Sequence, residues 1–217
     1  MTNHNYIFLK NNPSLNEVSE KTLAEYKKEF IKELSSSKKV ICNTYSVLGL
    51  KTNANILIWF QADSIDAIQD LLNKLMHTSL GKHLRITYTL FGITRPTQYS
   101  PTSTGHLDTN RKGKQYLIIY PFTKTQEWYM LDFDLRRKLM GGHVMIGKKY
   151  QQIEQLLLYS YGIDDNEFIV SYETDELSAF QSLVIELRSN KVRNYTLKDT
   201  PIFTAIYKTA KEVVEYL

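Results

Sequence analysis

The chain has 217 residues, 42% hydrophobic and 23% charged, enough to bury a sizeable core as one large domain or two small ones. Its formal net charge of +4 comes from Lys and Arg scattered along the sequence, which leaves no concentrated basic stripe and argues against a nucleic-acid partner. The lone Cys42 excludes a disulfide framework and multi-thiolate zinc; without a signal-peptide pattern or an apolar run near ~20 residues, the sequence reads as cytoplasmic, with no membrane partner.

In chain order, the first half reads as a strand at Tyr6–Lys10, a long helix at Leu15–Ser36 and a strand at Lys39–Gly49. A strand at Asn55–Ala62, a helix at Ser64–Met76 and a strand at Leu84–Thr94 complete it. The long helix carries its apolar stripe at Leu23, Tyr26, Phe30 and Leu34. The second half repeats the order: strand Lys114–Lys124, helix Trp128–Lys149, strands Gln152–Tyr161 and Glu167–Glu173, helix Glu176–Ser189 and strand Pro201–Lys208. Between the halves, the segment from Arg95 to Lys114 is rich in Ser, Thr, Gly and Pro and reads as a loop.

The halves also resemble each other residue by residue. "ILIWFQADSIDAIQDLLNKL" (Ile56–Leu75) lies on "FIVSYETDELSAFQSLVIEL" (Phe168–Leu187) without a gap, matching Asp63, Gln69, Leu71 and Leu75 to Asp175, Gln181, Leu183 and Leu187. The predicted buried helix faces are Ile65, Ile68, Leu72 and Leu75 in one copy and Leu177, Phe180, Val184 and Leu187 in the other. The expected fold is α+β: two ferredoxin-like βαββαβ repeats forming a dimeric α+β barrel within one chain. The expected boundaries are 1–96 for the N-terminal repeat, 97–113 for the connecting loop and 114–217 for the C-terminal repeat.

Two places in the second half carry chemistry. In "QYLIIYPFTK", strand alternation puts Tyr120, Phe122 and Lys124 on one face, and Pro121 places the stretch near a strand end or edge. That face suits either an anionic ligand or a plain amphipathic strand. In "LRRKLMGGHVMIGKKY", Met140, His143, Gly147 and Tyr150 share one helix face. None of the five histidines (His4, His77, His83, His106, His143) pairs with another at helical metal-site spacing, which argues against a zinc hydrolase. By spacing alone, His143 is either a hydrogen-bonded core histidine or a single axial ligand to a flat cofactor that carries its own metal.

"YPFTK", "EWYML", "RRKLMGGHVMIGKKY" and "YGIDDNEF", in this order, resemble the chlorite dismutase-like family of heme proteins, and in particular the coproheme decarboxylases. "SLGKHL" (Ser79–Leu84) extends the likeness into the first half. The resemblance implies two ferredoxin-like units per chain and assembly as a ring of five subunits. It also implies a heme cofactor or substrate, iron-coproporphyrin or heme b, with hydrogen peroxide as partner.

Residue by residue, His143 falls on the proximal histidine that coordinates the iron, with Glu186 a candidate to orient it. Tyr120 falls on the tyrosine that carries oxidising equivalents to a propionate, and Lys124 on the propionate-binding lysine. Trp128 matches a pocket aromatic, Gly147 leaves room beside the histidine, and Gln155 lies near the distal glutamine. Chlorite-decomposing members carry an arginine where Gln155 falls, which argues against efficient chlorite dismutation and leaves a heme-binding protein or weak peroxidase as the alternative. The arginine that decarboxylases place upstream of the tyrosine has His106 at its position, with Arg111 nearby. The basic stretch Arg111–Lys114 is expected to serve the propionates, within a loop that acts as a lid.

Overall fold

The computed structural model of the chain describes residues 1–97, 99 and 114–217. Its elements in order are β1 (Asn3–Asn11), α1 (Glu20–Leu34), β2 (Ile41–Ser46), β3 (Ile56–Ala62), α2 (Ile65–His77) and β4 (Leu84–Ile93). There follow β5 (Tyr116–Lys124), α3 (Gln126–Met130), α4 (Phe133–Gly147), β6 (Glu154–Tyr159), β7 (Phe168–Thr174), α5 (Leu177–Arg188), β8 (Thr196–Lys198), β9 (Phe203–Tyr207) and α6 (Ala210–Val213). The fold is α+β. Residues 1–94 with 203–217 form one compact unit, and residues 95–202 form a second. Apart from Thr97 and Tyr99, the connector expected at 97–113, with His106, Arg111 and the proposed lid, lies outside the described residues.

In the first unit, antiparallel pairing runs β4–β1–β3–β2, the strand order of a ferredoxin-like unit. Phe30 and Leu34 of α1 and Ile68, Leu71 and Leu75 of α2 pack on Ile7, Leu9, Ile56, Ile58 and Phe60, so the helical stripe and the alternating strand residues meet in one core. Each such side chain contributes about 1.5–3 kcal/mol on burial. On the other face of β1 and β3, Tyr6 stacks on Trp59 at 5.1 Å, and Trp59 Nε1 donates to His4 Nδ1 at 3.1 Å. The glycine of "SLGKHL" has a steric cause: a Cβ on Gly81 would stand 2.0 Å from the Leu75 carbonyl oxygen.

Several elements depart from expectation. The first helix begins at Glu20, where the Ser19 hydroxyl accepts from the Thr22 N–H; Pro13–Glu17 form a separate 3-10 turn ahead of it. The segment Trp128–Lys149 is two helices rather than one, because Leu131 and Asp132 are extended and the Asp132 carbonyl starts a new helix by accepting from the Arg136 N–H. On α5 the buried residue is Leu183, with Phe180 and Leu187 beside it, while Leu177 is exposed and Val184 only half-buried.

The second unit pairs β6–β7–β5–β8, all antiparallel. Pro121 sits inside the β5–β7 ladder opposite Ile169, three residues before β5 ends. β9, expected to close the C-terminal repeat, groups with the first unit. There it pairs with β2, and its Phe203 ring lies 4.1 Å from that of Phe8. The internal likeness noted in sequence is present as β3 leading into α2 and β7 leading into α5, with Asp63 and Asp175 at the two turns. Asp175 accepts from the Gln115 N–H and pairs with Lys114, fixing the entry to β5.

Candidate functional site

Residues directly opposite across antiparallel strands share a face. The register therefore puts Tyr120, Val170 and Leu157 in one row and Phe122, Phe168 and Tyr159 in the next, on the same side of the β6–β7–β5 sheet. Phe122 and Phe168 stack 4.6 Å apart with their rings 10° from parallel, and Tyr120 stacks on Tyr172 at 6.1 Å. The sheet thus presents a flat, aromatic floor. Gln155 is exposed on β6 opposite Tyr172, on this same side.

α4 reaches this floor through Ile146, with Tyr150 just beyond the helix; both pack with Tyr120, Val170 and Tyr172. His143 lies one turn before Ile146 on the same helix face. No residue of α4 is fully buried, which is uncommon for a helix that touches a sheet. A Cβ added at Gly147 would meet no atom within 4 Å, so protein atoms do not close this end of the helix.

Partial burial, reinforced by the positive charge of Lys124, pushes the His143 pKa down to about 4. The ring is uncharged at neutral pH, and among the described residues it has no hydrogen-bond partner. A neutral imidazole with a free lone pair is the form that ligates a metal. No group of three or more His, Cys, Asp or Glu among the described residues could hold a bare ion. Glu186 does not orient this ring: it pairs with Lys149, and the Tyr150 hydroxyl lies 3.3 Å from its other oxygen.

Lys124 is buried at the end of β5, only 8% exposed. Its Nζ lies 4.8 Å from the Trp128 ring centre, 5.9 Å from that of Phe122 and 3.5 Å from the Thr196 hydroxyl. Burial first, and then the Arg193 charge, push its pKa down to about 8 against the opposing pull of Glu167. Glu167 Oε2 accepts from the Lys124 backbone N–H at 2.7 Å and from the Tyr129 hydroxyl at 2.5 Å. Tyr129 also meets the Tyr161 hydroxyl at 2.8 Å.

The structure thus brings Tyr120, Lys124, Trp128, His143 and Gly147 into one unit and sets Gln155 on the same side of its sheet; His106 and Arg111 lie outside the described residues. Sequence reasoning missed the Glu167–Tyr129–Tyr161 cluster, and also Asp199, which pairs with both Arg188 (3.1 Å) and Arg193 (3.0 Å). Only the "DDNEF" motif hinted at Glu167.

A family model described as chlorite dismutase matches residues 20–208. The chain belongs to the chlorite dismutase family. It is 27% identical over 176 residues to the coproheme decarboxylase of Mycolicibacterium smegmatis (strain ATCC 700084 / mc(2)155), across 81% of this chain and 76% of that relative. Its fold matches the structure of chlorite dismutase from Candidatus Nitrospira defluvii in complex with imidazole, with a TM-score of 0.88 at 23% identity, covering 99% of this chain and 94% of that one. A mutant form of that chlorite dismutase gives 0.90, also at 23% identity and with the same coverage. Among the described residues of this family member, no helix is long and apolar enough to cross a membrane.

Proposed function

We propose that this protein is a heme-dependent oxidoreductase that removes carboxyl groups from the propionate arms of iron-coproporphyrin, with hydrogen peroxide as oxidant, to give heme b. The observation that carries this reading is the uncharged imidazole of His143, without a hydrogen-bond partner among the described residues, beside a helix end left open at Gly147 and within electrostatic reach of the buried Lys124. The donor set fits the group: one neutral nitrogen for a metal already held in a ring, an aromatic floor for a flat macrocycle, and a cation for an acidic arm. The 27% identity to a coproheme decarboxylase supports it further.

When bound, the iron porphyrin supplies the peroxide-driven oxidation; the protein supplies placement and charge. His143 would hold the metal through a neutral ring nitrogen. Lys124 offers an ammonium to a carboxylate, and its burial strengthens that attraction relative to an exposed lysine. Tyr120 sits in the aromatic row with its pKa raised by burial, so it stands as a phenol with a proton and an electron to give. Trp128 lies under the Lys124 ammonium and helps to hold it by a cation–π contact. Gln155 offers an uncharged amide where an arginine would steady an anionic oxychlorine species, so efficient chlorite dismutation is not expected.

The test is to load the protein with ferric coproporphyrin, add peroxide, and follow heme b by chromatography. Wild type converts the bound ligand; Tyr120→Phe binds it and makes no product. Binding by wild type without conversion would favour the second reading, a heme-binding protein or weak peroxidase, which the uncharged Gln155 amide also suits.

A further inference from the structure

Tyr120 is joined to a second phenol that the function above does not use. Tyr172 stands two residues along β7 from Val170, the residue opposite Tyr120, so both phenols lie on the same side of the sheet. Their rings are 6.1 Å apart and 26° from parallel, and a side-chain hydrogen bond links their hydroxyls. Tyr172 is only 4% exposed: the Phe180 ring of α5 lies 5.1 Å from its own, and Val170 and Leu183 share its core. Tyr120 is half-buried.

Burial decides which hydroxyl donates. The third phenol of this cluster, Tyr150, turns its hydroxyl to Glu186 at 3.3 Å. Gln155, opposite Tyr172 on β6, is exposed and forms no hydrogen bond with it. If Tyr120 donated, the O–H of Tyr172 would have no acceptor among the described residues, the costlier arrangement for a buried donor. If Tyr172 donates, its proton is satisfied, and the O–H of the half-buried Tyr120 is left to turn outward. Burial pushes both phenol pKa values up first; the shared bond pulls that of Tyr120 back down and adds to the rise of Tyr172, as for an acceptor and its donor.

We propose that Tyr172 is a positioning residue for Tyr120: its buried hydroxyl donates to the Tyr120 oxygen and so leaves the Tyr120 O–H facing away from the core, over the aromatic floor. This rests on the function proposed above and deepens it. A phenol that must give up its own proton is held with that proton outward, while the proton of Tyr172 stays in the core. The Tyr172 ring serves packing, and its hydroxyl alone sets the direction.

The first experiment needs no ligand. Wild type carrying tyrosine labelled with carbon-13 at Cζ is placed in mixed light and heavy water, and the two lines are assigned by their loss in Tyr120→Phe and Tyr172→Phe. A hydroxyl that exchanges slowly splits its own Cζ line into protonated and deuterated forms. The Tyr172 line should split and the Tyr120 line should stay single. A split Tyr120 line, or an unsplit Tyr172 line, overturns the assignment. The second experiment loads wild type and Tyr172→Phe with ferric coproporphyrin and adds peroxide. Tyr172→Phe keeps the ring, so it should bind within about twofold of wild type. It should form heme b about 2- to 10-fold more slowly, the loss of one neutral hydrogen bond at a reacting group. Conversion at the wild-type rate would show that the hydroxyl positions nothing, and the proposed function would stand. If wild type itself makes no heme b, that function falls, and the role of Tyr172 falls with it.

Discussion

Replacing Lys124 by Met separates what the site needs from what the fold needs. The ammonium is buried, and the drop of its pKa from 10.5 to about 8 corresponds, at ~1.4 kcal/mol per pH unit, to roughly 3 kcal/mol of strain at neutral pH. Its contacts with Trp128 and Thr196 return about 1 kcal/mol. Met keeps the length and packing of the stem without the charge, so the ligand-free variant should gain about 2 kcal/mol and melt some 4–8 °C higher at pH 7. The folded pKa lies below the unfolded one, so the unfolded chain holds more protons between about pH 8 and 10.5. Wild-type stability therefore rises across that window, and the advantage of the variant shrinks. Thermal melts of the two proteins at pH 7, 8.5 and 10, paired with porphyrin titrations, read both effects. A variant that melts below wild type at pH 7, or a gap that does not narrow with pH, would refute the view that this lysine is held against the preference of the fold.

His4 gives a second pH signature. Its Nδ1 accepts from Trp59, so the buried ring is neutral in the folded chain, and burial pushes its pKa from 6.5 to about 4. Stability should fall by roughly 3 kcal/mol as pH drops from 6.5 to 4, because the unfolded chain takes up the proton first. Urea midpoints for His4→Asn should show a shallower acid slope, and identical slopes would exclude His4 as the cause. Gly147→Leu fills the open end of α4: its melting temperature should hold or rise, since Leu gains up to ~1 kcal/mol over Gly in a helix. The same variant should lose porphyrin affinity by roughly tenfold or more through steric block, and unchanged affinity would place the ligand elsewhere.

The local patterns in the sequence carried most of the fold. The stripe Leu23, Tyr26, Phe30 and Leu34 and the duplicated strand–Asp–helix segment are consequences of helical and strand periodicity, and the structure contains both. Periodicity does not register a two-residue interruption, which is why the break at Leu131–Asp132 went unseen. β8 is three residues long, too short for alternation to show. The apolar content of β9 announced a strand, but its pairing with β2 depends on contacts more than 150 residues apart in sequence. At the site, the motif order pointed to Tyr120, Lys124, Trp128 and His143, and geometry then supplied their environments. Asp199 lies 6 and 11 residues from the arginines it joins, and Glu167 lies 38 from Tyr129, spacings that no helical or strand rule connects. The pairing of Glu186 with Lys149, 37 residues away, is hidden from sequence for the same reason.

The proposed function requires coordination of the iron by His143, and absorption spectroscopy reads that directly. Ferric coproporphyrin added to wild type should give a saturable, one-to-one shift of the Soret band. His143→Ala should abolish the shift, and free imidazole should restore it. A shift of equal size and affinity in His143→Ala would contradict iron ligation by His143, and the proposed function with it.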